Sequence, residues 1–458
     1  MKKIMESLKS LMDRHRLVSA GLFLFVIAVF YIFIWNDAPY LQPDSIGYME
    51  VAQNLVENNV STIFERVPFY PLLILLTGSA YQPSFQLFLF QLIGYFISIF
   101  LVFVILEKEL PYKMALVFLS ISVFPPFVEY ATYVMTEATT TMLILFDLAF
   151  FYWAIKKRNI ASSIAVGIIS GILPLIRPTF QLIPLLLLFL FLCAIFFYKE
   201  KRIFLYAVIA IMISSIFIVG YAFINYKSYG YFGLTPLQGF NLSTKTMPYI
   251  ERIPEHHKVI RDVLLEFRNG SLVKGQSHSG VMYIWDAIPK LLEVTSMNIV
   301  QLSKLLQDIN ISLIIHSPLS YILEVGKAIA AYVLPATTDV ANFNNSWVQL
   351  LWLIGNFLTL FVFILCISGI IGCLILIPLE KLRGLIQEQP IFLIALFSIV
   401  FILYNLLIST AFEVGNPRYR VPTDLLTFIY ILVQIYTIKN IKISISFNTW
   451  ISPSNLDY

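Results

Sequence analysis

The stretch "LVSAGLFLFVIAVFYIFIW", residues 17–35, carries no charged side chain. It is long enough to cross a bilayer as one helix, which takes about 20 apolar residues. Lys2, Lys3, Lys9, Arg14 and Arg16 precede it and give the start of the chain the charge of a signal peptide. The apolar run, however, exceeds the about 7–15 residues of a signal-peptide core, and no small-residue cleavage site comes after it. It reads as a retained anchor. The next segment is unusual: "YLQPDSIGYMEVAQNL", residues 40–55, opens with a proline and a carboxylate and then turns amphipathic.

The rest of the 458 residues extends this reading. The chain is 59% hydrophobic and 13% charged, against about 25% charged in soluble domains. So little charge cannot cover a water-facing surface. Ten spans are expected, at 17–36, 84–106, 114–130, 137–155, 160–176, 179–198, 203–224, 350–378, 389–411 and 422–438. The segment 311–335, with Glu324 and Lys327 among apolar residues, reads as an interfacial helix or an imperfect eleventh span. No internal repeat is visible. The net charge of +4 and the lack of a basic block exclude an evident nucleic-acid surface. Cys193, Cys366 and Cys373 all fall in apolar runs and form no disulfide or metal-type pattern.

The expected fold class is an all-α polytopic membrane protein: about 10–11 transmembrane helices, amphipathic outer-surface helices and a small extracytoplasmic region. Three parts are expected: an N-terminal transmembrane module (1–224) with a first outer loop (37–83), an extracytoplasmic segment (225–349), and C-terminal transmembrane helices (350–458). Basic residues set the orientation. With the N-terminus in the cytoplasm, the inner segments collect Lys108, Lys113, Lys156, Lys157, Arg158, Lys199, Lys201, Arg202, Lys381, Arg383, Lys439 and Lys442 besides the N-terminal group. The short outer loops hold Arg66, Arg177, Arg418 and Arg420. Both termini are therefore expected in the cytoplasm of a plasma-membrane protein, with the active site outside.

Polar groups near a bilayer are costly, so their placement is informative. Asp44, Arg66, Glu129, Glu137, Arg177, Glu413, Arg418 and Arg420 come from five regions of the chain but share one expected depth, the outer helix ends. Tyr48, Val51, Ala52 and Leu55 recur at helical spacing after Asp44, so a short surface helix is expected there. Asp44 either caps its first turn or serves another partner. Arg418 and Arg420 flank Tyr419 and point to different sides of a helix or strand, so one can reach inward while the other faces headgroups. Asp147 lies near mid-membrane, where an ionisable group marks either a functional or a structural contact.

Arginine at a membrane surface suits a lipid phosphate, which its planar fork binds through two bonds. A nearby carboxylate suits deprotonation of a hydroxyl. Together they describe transfer of a sugar from a polyprenyl-phosphate donor to an acceptor hydroxyl, with inversion at the anomeric carbon. Asp44 and Glu137 are the catalytic candidates. Arg418, Arg420, Arg177 and Arg66 are the donor-phosphate candidates, and Tyr48, Tyr70, Glu129, Tyr419 and Glu413 the substrate-lining ones.

The motifs "PDSIGYMEVA", "RVPFYPLL", "TEATTTML", "IRPTF" and "NPRYRVP" occur in that order on alternating hydrophobic spans. In this the chain resembles the GT-C membrane glycosyltransferases, most nearly bacterial relatives of the dolichyl-phosphate-mannose protein mannosyltransferases and of the lipid A aminoarabinose transferase. The resemblance covers most of the first 180 residues and 412–424. It implies a GT-C-like bundle and an essential acid in the first outer loop, the place Asp44 occupies. The protein mannosyltransferases often carry two adjacent acids there; this chain has Asp44-Ser45. Segment 225–349 matches no known pattern, so sugar and acceptor stay open between lipid, glycan and protein. Some members of the superfamily use a divalent metal, for which Asp44 with Glu137 or Glu129 are the candidate oxygen ligands. His256, His257 and His278 are a weaker metal candidate and read more simply as surface. Two other functions compete: a transporter or flippase of lipid-linked glycans, favoured by Asp147, and a glycan polymerase or ligase using a lipid-diphosphate donor.

Overall fold

The computed structural model describes residues 2–35, 37–57, 66–273, 282–335, 345–376 and 390–451. They are helical almost throughout. Their one extended pairing is an isolated parallel bridge between Tyr40 and Tyr133.

In chain order, α1 (Lys2–Trp35) leads into α2 (Pro43–Val56) and α3 (Phe69–Leu76). Then come α4 (Phe85–Glu109), α5 (Tyr112–Ser122), α6 (Pro125–Val128) and α7 (Thr136–Lys156). The first half ends with α8 (Ile160–Ile172), α9 (Ile183–Tyr198) and α10 (Arg202–Tyr229). Four helices lie next, outside the main bundle: α11 (Gln238–Thr246), α12 (Lys258–Val273), α13 (Met282–Thr295) and α14 (Ile299–His316). The chain closes with α15 (Pro318–Val333), α16 (Ser346–Leu376), α17 (Ile391–Phe412) and α18 (Pro417–Ile451). Prolines open α2, α6, α15 and α18, where the missing N–H costs nothing. Ser84 and Asn159 cap α4 and α8 with their side chains.

Among the described residues, seven helices are long and apolar enough to cross a membrane, and the chain is a multi-pass helical membrane protein. They coincide with seven of the ten expected spans. The other three differ. The expected span 114–130 is broken: α5 ends at Ser122, and the chain turns by 62° into Pro125–Thr132. The adjacent Pro125-Pro126 lack two N–H donors, so the helix cannot run through. The expected spans 160–176 and 179–198 are the shorter apolar helices Ile160–Leu175 and Ile183–Tyr198. Pro174 and Pro178 divide them, with two short 3-10 turns between. Segment 311–335 is no single span, because α14 and α15 meet at 105° around Ser317-Pro318.

Helix α7 is the centre of the bundle. Its membrane window is 83% buried, against 17% for α1, which leaves α1 as an outer helix packed on α4. Two of the buried hydroxyls of α7 are satisfied locally: Thr140 and Thr141 donate to the carbonyls of Thr136 and Glu137. Asp147 is fully buried and accepts a hydrogen bond from the Ser170 hydroxyl on α8 at 2.7 Å.

Helices α11–α14, with the 3-10 turn Met247–Arg252 between the first two, form a second apolar core, including Phe240, Ile250, Leu264, Ile284, Leu302 and Leu306. Asn310 ties it together: its amide donates to the Gly239 carbonyl and the Ser243 hydroxyl, both at 2.9 Å, and its oxygen accepts from Thr246. This subdomain rests on the main bundle where α11 packs on α17 and α14 on α15.

Candidate functional site

The arrangement of the site begins with backbone stitching. Tyr40 N–H donates to the Thr132 carbonyl at 2.7 Å, and Val134 N–H donates to the Tyr40 carbonyl at 3.0 Å. The Ser45 hydroxyl adds a bond to the Val134 carbonyl at 2.8 Å. Gln91 of α4 holds the other side, donating to the carbonyls of Ala131 and Tyr133 and accepting from the Tyr70 hydroxyl. These bonds lay the start of α2 beside the start of α7, and so set Asp44 near Glu137.

Gln42, not Asp44, is the N-cap of α2; it shares a reciprocal capping pair with Ser45, and Pro43 comes after it in the first turn. The capping reading of Asp44 is therefore replaced: its carboxylate is free for other partners. One oxygen meets Arg66 Nη2 at 3.3 Å, and the other accepts from Arg418 Nη2 at 2.7 Å. Arg66 lies across α2 and over the Tyr48 ring, 4.9 Å from its centroid. Gly47 makes this possible, since a Cβ there would come within 3.2 Å of the Arg66 Nε. Tyr48 in turn packs edge-on against Tyr70, with centroids 5.2 Å apart.

Arg418 is placed by the start of α18. Asn416 caps it, accepting from the Arg418 N–H at 2.9 Å. Gly415 before it has φ +70°, and a Cβ there would strike the Ala328 carbonyl of α15 at 2.0 Å. Only glycine suits that turn. Arg418 Nε also faces Glu137 Oε1 at 3.1 Å, an ion pair whose angle falls short of a hydrogen bond. Glu137 is 1% exposed and meets Arg177 Nη1 at 3.4 Å. Its second oxygen, Oε2, is buried without a hydrogen-bond partner. Tyr419 lies under both arginines, 5.2 Å from Arg177 and 5.5 Å from Arg418.

Seven of the polar and aromatic candidates (Asp44, Arg66, Tyr48, Glu137, Arg177, Arg418 and Tyr419) thus form one chain of contacts, with Tyr70 packed beneath Tyr48 and Glu413 beside it. Burial alone would raise the Asp44 carboxyl, but Arg418 and then Arg66 outweigh it and hold it below the usual range. Burial instead raises the Glu413 carboxyl, against the pull of Arg177, Tyr419 and Arg418.

Two candidates stand apart. Glu129 accepts from the Trp352 indole N–H and from the Tyr133 hydroxyl. Arg420 is 2% exposed and committed elsewhere: its Nε donates to Asp424 at 2.7 Å, and its Nη1 to the carbonyls of Tyr332 and Val333. Of the two late arginines, Arg418 is the one that reaches Asp44.

Two hollows border this cluster. The first, of about 220 Å³, is lined by Glu129, Trp352, Asn356, Arg418, Arg420 and Asp424, among others. The second, of about 570 Å³, lies between α2 and the α11–α14 subdomain, with Arg66, Glu50 and Trp285 in its wall. Asp44 therefore sits between an arginine that lines one hollow and an arginine that lines the other.

The carboxylates expected to hold a metal do not suit one as placed. Asp44 presents both oxygens to arginines, and Glu129 is engaged by Trp352 and Tyr133. Among the described residues, no group of three or more His, Cys, Asp or Glu side chains is placed to hold a metal ion. His256 and His257 lie on a short turn with no buried residue, and His278 lies outside the described residues.

Lys245 escaped the sequence reading. It is 2% exposed on α11, near Glu324 and Glu413, and makes no hydrogen bond or ion pair among the described residues. Burial pulls its ammonium down to about 8, against the opposing pull of the two glutamates. One signal was available: Lys245 is the single charge between Lys227 and Glu251.

No protein-family model and no curated protein matches the chain. Among solved structures it is similar to the Archaeoglobus fulgidus oligosaccharyltransferase in its apo form, at a TM-score of 0.49 and 14% identity, covering 96% of this chain and 53% of that chain. It is also similar to the same enzyme tethered through a disulfide bond to an acceptor peptide containing the NVT sequon, at a TM-score of 0.47 and 14% identity, covering 93% and 50%. The chain spans about half the length of that protein.

Proposed function

We propose that the protein is an inverting glycosyltransferase that moves a sugar from a polyprenyl-phosphate donor to an acceptor hydroxyl at the outer face of the plasma membrane, on a GT-C-like bundle. The observation that carries this reading is the position of Asp44, ion-paired to Arg418 on the side of one hollow and to Arg66 on the side of the other.

In this reading the donor phosphate enters the first hollow and takes bonds from Arg418. The donor is a phosphodiester with one negative charge, and its two free oxygens compete with the Asp44 carboxylate for the planar fork of that guanidinium. Loss of the 2.7 Å bond frees one Asp44 oxygen for the acceptor hydroxyl. The hydroxyl proton moves to Asp44 as the oxygen attacks the anomeric carbon. The bond from that carbon to the phosphate oxygen breaks, and its electron pair leaves with the polyprenyl phosphate. Arg418 stabilises the developing charge, and Glu137 with Arg177 fixes Arg418 from behind. Arg420, closed by Asp424, supports the wall of this hollow. Transport is less favoured, because Asp147 is fully buried and borders neither hollow.

The test uses the purified full chain in lipid nanodiscs with polyprenyl-phosphate sugars labelled in the sugar. The expected result is consumption of a monophosphate donor with release of polyprenyl phosphate, abolished in Arg418→Ala. Consumption of a lipid diphosphate alone would point to the ligase alternative. Movement of an unaltered lipid-linked glycan would point to transport.

A further inference from the structure

The second hollow differs in character from the first. One wall is a single stripe of α2: Gly47, Glu50, Asn54 and Glu57 recur at steps of three and four, which align on a helix. Gln53 lies beside them. Across from this polar stripe, the subdomain contributes Leu237, Trp285, Ile288, Pro289 and Ile299. Trp285 is half-buried, backed by Phe240 at 5.9 Å between centroids, so it presents an aromatic surface held in place from behind.

The polar side is rich in acceptors. Glu50 has no hydrogen-bond or ion-pair partner among the described residues. Among the described residues, Glu57 accepts a single bond, from the Tyr81 hydroxyl at 3.3 Å. The Gln53 amide donates one N–H to the Ala80 carbonyl at 2.8 Å, which leaves its oxygen and its second N–H for a ligand. A row of oxygen acceptors opposite a fixed indole matches a ligand with an apolar ring face and many hydroxyl donors at its edge. That is a sugar ring. The volume of about 570 Å³ lies within the range of about 300–1,000 Å³ for small-molecule sites and has room for more than one ring. Two carboxylates in the wall disfavour an acidic sugar. An extended peptide would ask for paired backbone donors and acceptors along an edge, which this wall does not offer.

We infer that the hollow between α2 and α13 binds the acceptor, and that the acceptor is a neutral or amino-bearing glycan stacked on Trp285 with its hydroxyls on Glu50, Glu57 and Gln53. The inference rests on the transferase reading, since Arg66 joins this hollow to Asp44. It assigns segment 225–349, otherwise without a role, to acceptor recognition, and it makes the stripe of α2 the specificity surface.

The experiment uses the full chain in nanodiscs. Saturation-transfer NMR measures binding of maltotriose, chitotriose and mannotriose to wild type, Trp285→Ala and Glu50→Gln, and donor hydrolysis without acceptor is measured in parallel. The expected result is binding of at least one trisaccharide, weakened about tenfold or more by Trp285→Ala, the order of one lost aromatic contact. Donor hydrolysis stays unchanged in both variants; the thermal midpoint stays unchanged in Glu50→Gln and falls in Trp285→Ala, whose ring packs on the subdomain core, so Glu50→Gln carries the test where folding suffers. With the best trisaccharide as acceptor, the variants raise the acceptor KM and spare the donor KM. Binding that neither variant weakens, binding by none of the three sugars while the donor is hydrolysed, or displacement of the bound sugar by an acceptor peptide would each overturn it. If the donor is not hydrolysed either, it is the transferase reading that fails.

Discussion

Replacing Asp44 by asparagine separates chemistry from stability more cleanly than any other change in the site. The side chain keeps its shape and one carbonyl oxygen but loses its charge and its capacity to take a proton. The stability cost depends on exposure. The Asp44 side chain is 35% exposed, and its partners Arg66 and Arg418 are 30% and 24% exposed. Ion pairs this accessible to water contribute about 0–1 kcal/mol each. The fold should therefore lose about 1 kcal/mol, which leaves it largely intact. The catalytic cost is of another order. A positioned general base contributes about 10²–10⁴-fold in rate, or about 3–5 kcal/mol of barrier. Initial rates of labelled-donor turnover at saturating acceptor, measured beside thermal unfolding in the same nanodiscs, read both quantities. The expected outcome is a rate drop of at least about 100-fold with a small shift of the midpoint. In wild type, the lowered Asp44 carboxyl keeps the base ionised at neutral pH, and its ion pairs add stability that is lost only as pH falls through a range below that of an ordinary aspartate. The asparagine variant should lack that acid-limb loss. A rate within a few-fold of wild type, with the fold intact, would refute the role of Asp44 as base.

Glu137 should behave in the opposite way. It is 1% exposed and faces Arg177, itself 9% exposed, so Glu137→Gln takes from that buried guanidinium its ion-pair partner among the described residues, at a cost of about 3–5 kcal/mol. Thermal unfolding should show this directly, and the double change Glu137→Met with Arg177→Met should be less damaging than Glu137→Gln alone. Lys245→Met should stabilise the protein at pH 7. The folded chain holds this ammonium at about 8 against an ordinary value of about 10.4, so the unfolded chain binds the extra proton and wild-type stability rises with pH between those values. In the variant that particular rise should disappear, and an unchanged difference between the two proteins across that window would refute the assignment.

How much of this was legible beforehand depended on the range of the interaction. The long apolar spans are local features, and seven of them lie where hydropathy puts them. The broken span at 114–130 was half legible, because Pro125-Pro126 marks the break but not the 62° turn at it. The site itself is non-local. Charge at the helix ends nominated Asp44, Glu137, Arg177 and Arg418, yet it takes the Tyr40–Tyr133 bridge, with the Ser45 and Gln91 bonds beside it, to lay the first two side by side. Nothing in "NPRYRVP" distinguishes Arg418 from Arg420. The difference arises from Asp424, one turn further on, which binds Arg420 and leaves Arg418 to the site. The capping role offered to Asp44 failed for a similar reason: Gln42 and Ser45 do that work two residues before and one after it. Trp285 gave no signal, since a tryptophan among apolar residues looks like any core residue until the facing wall is known.

The hydrogen bond between Asp44 and Arg418 spans 374 positions of the chain, and this bears on biogenesis. Every element from α3 to α17 is synthesised between the acid and the guanidinium that meets it. Until that guanidinium is made, the nascent chain holds Asp44 without this partner, and on the transferase reading a product truncated before α18 should bind no donor phosphate.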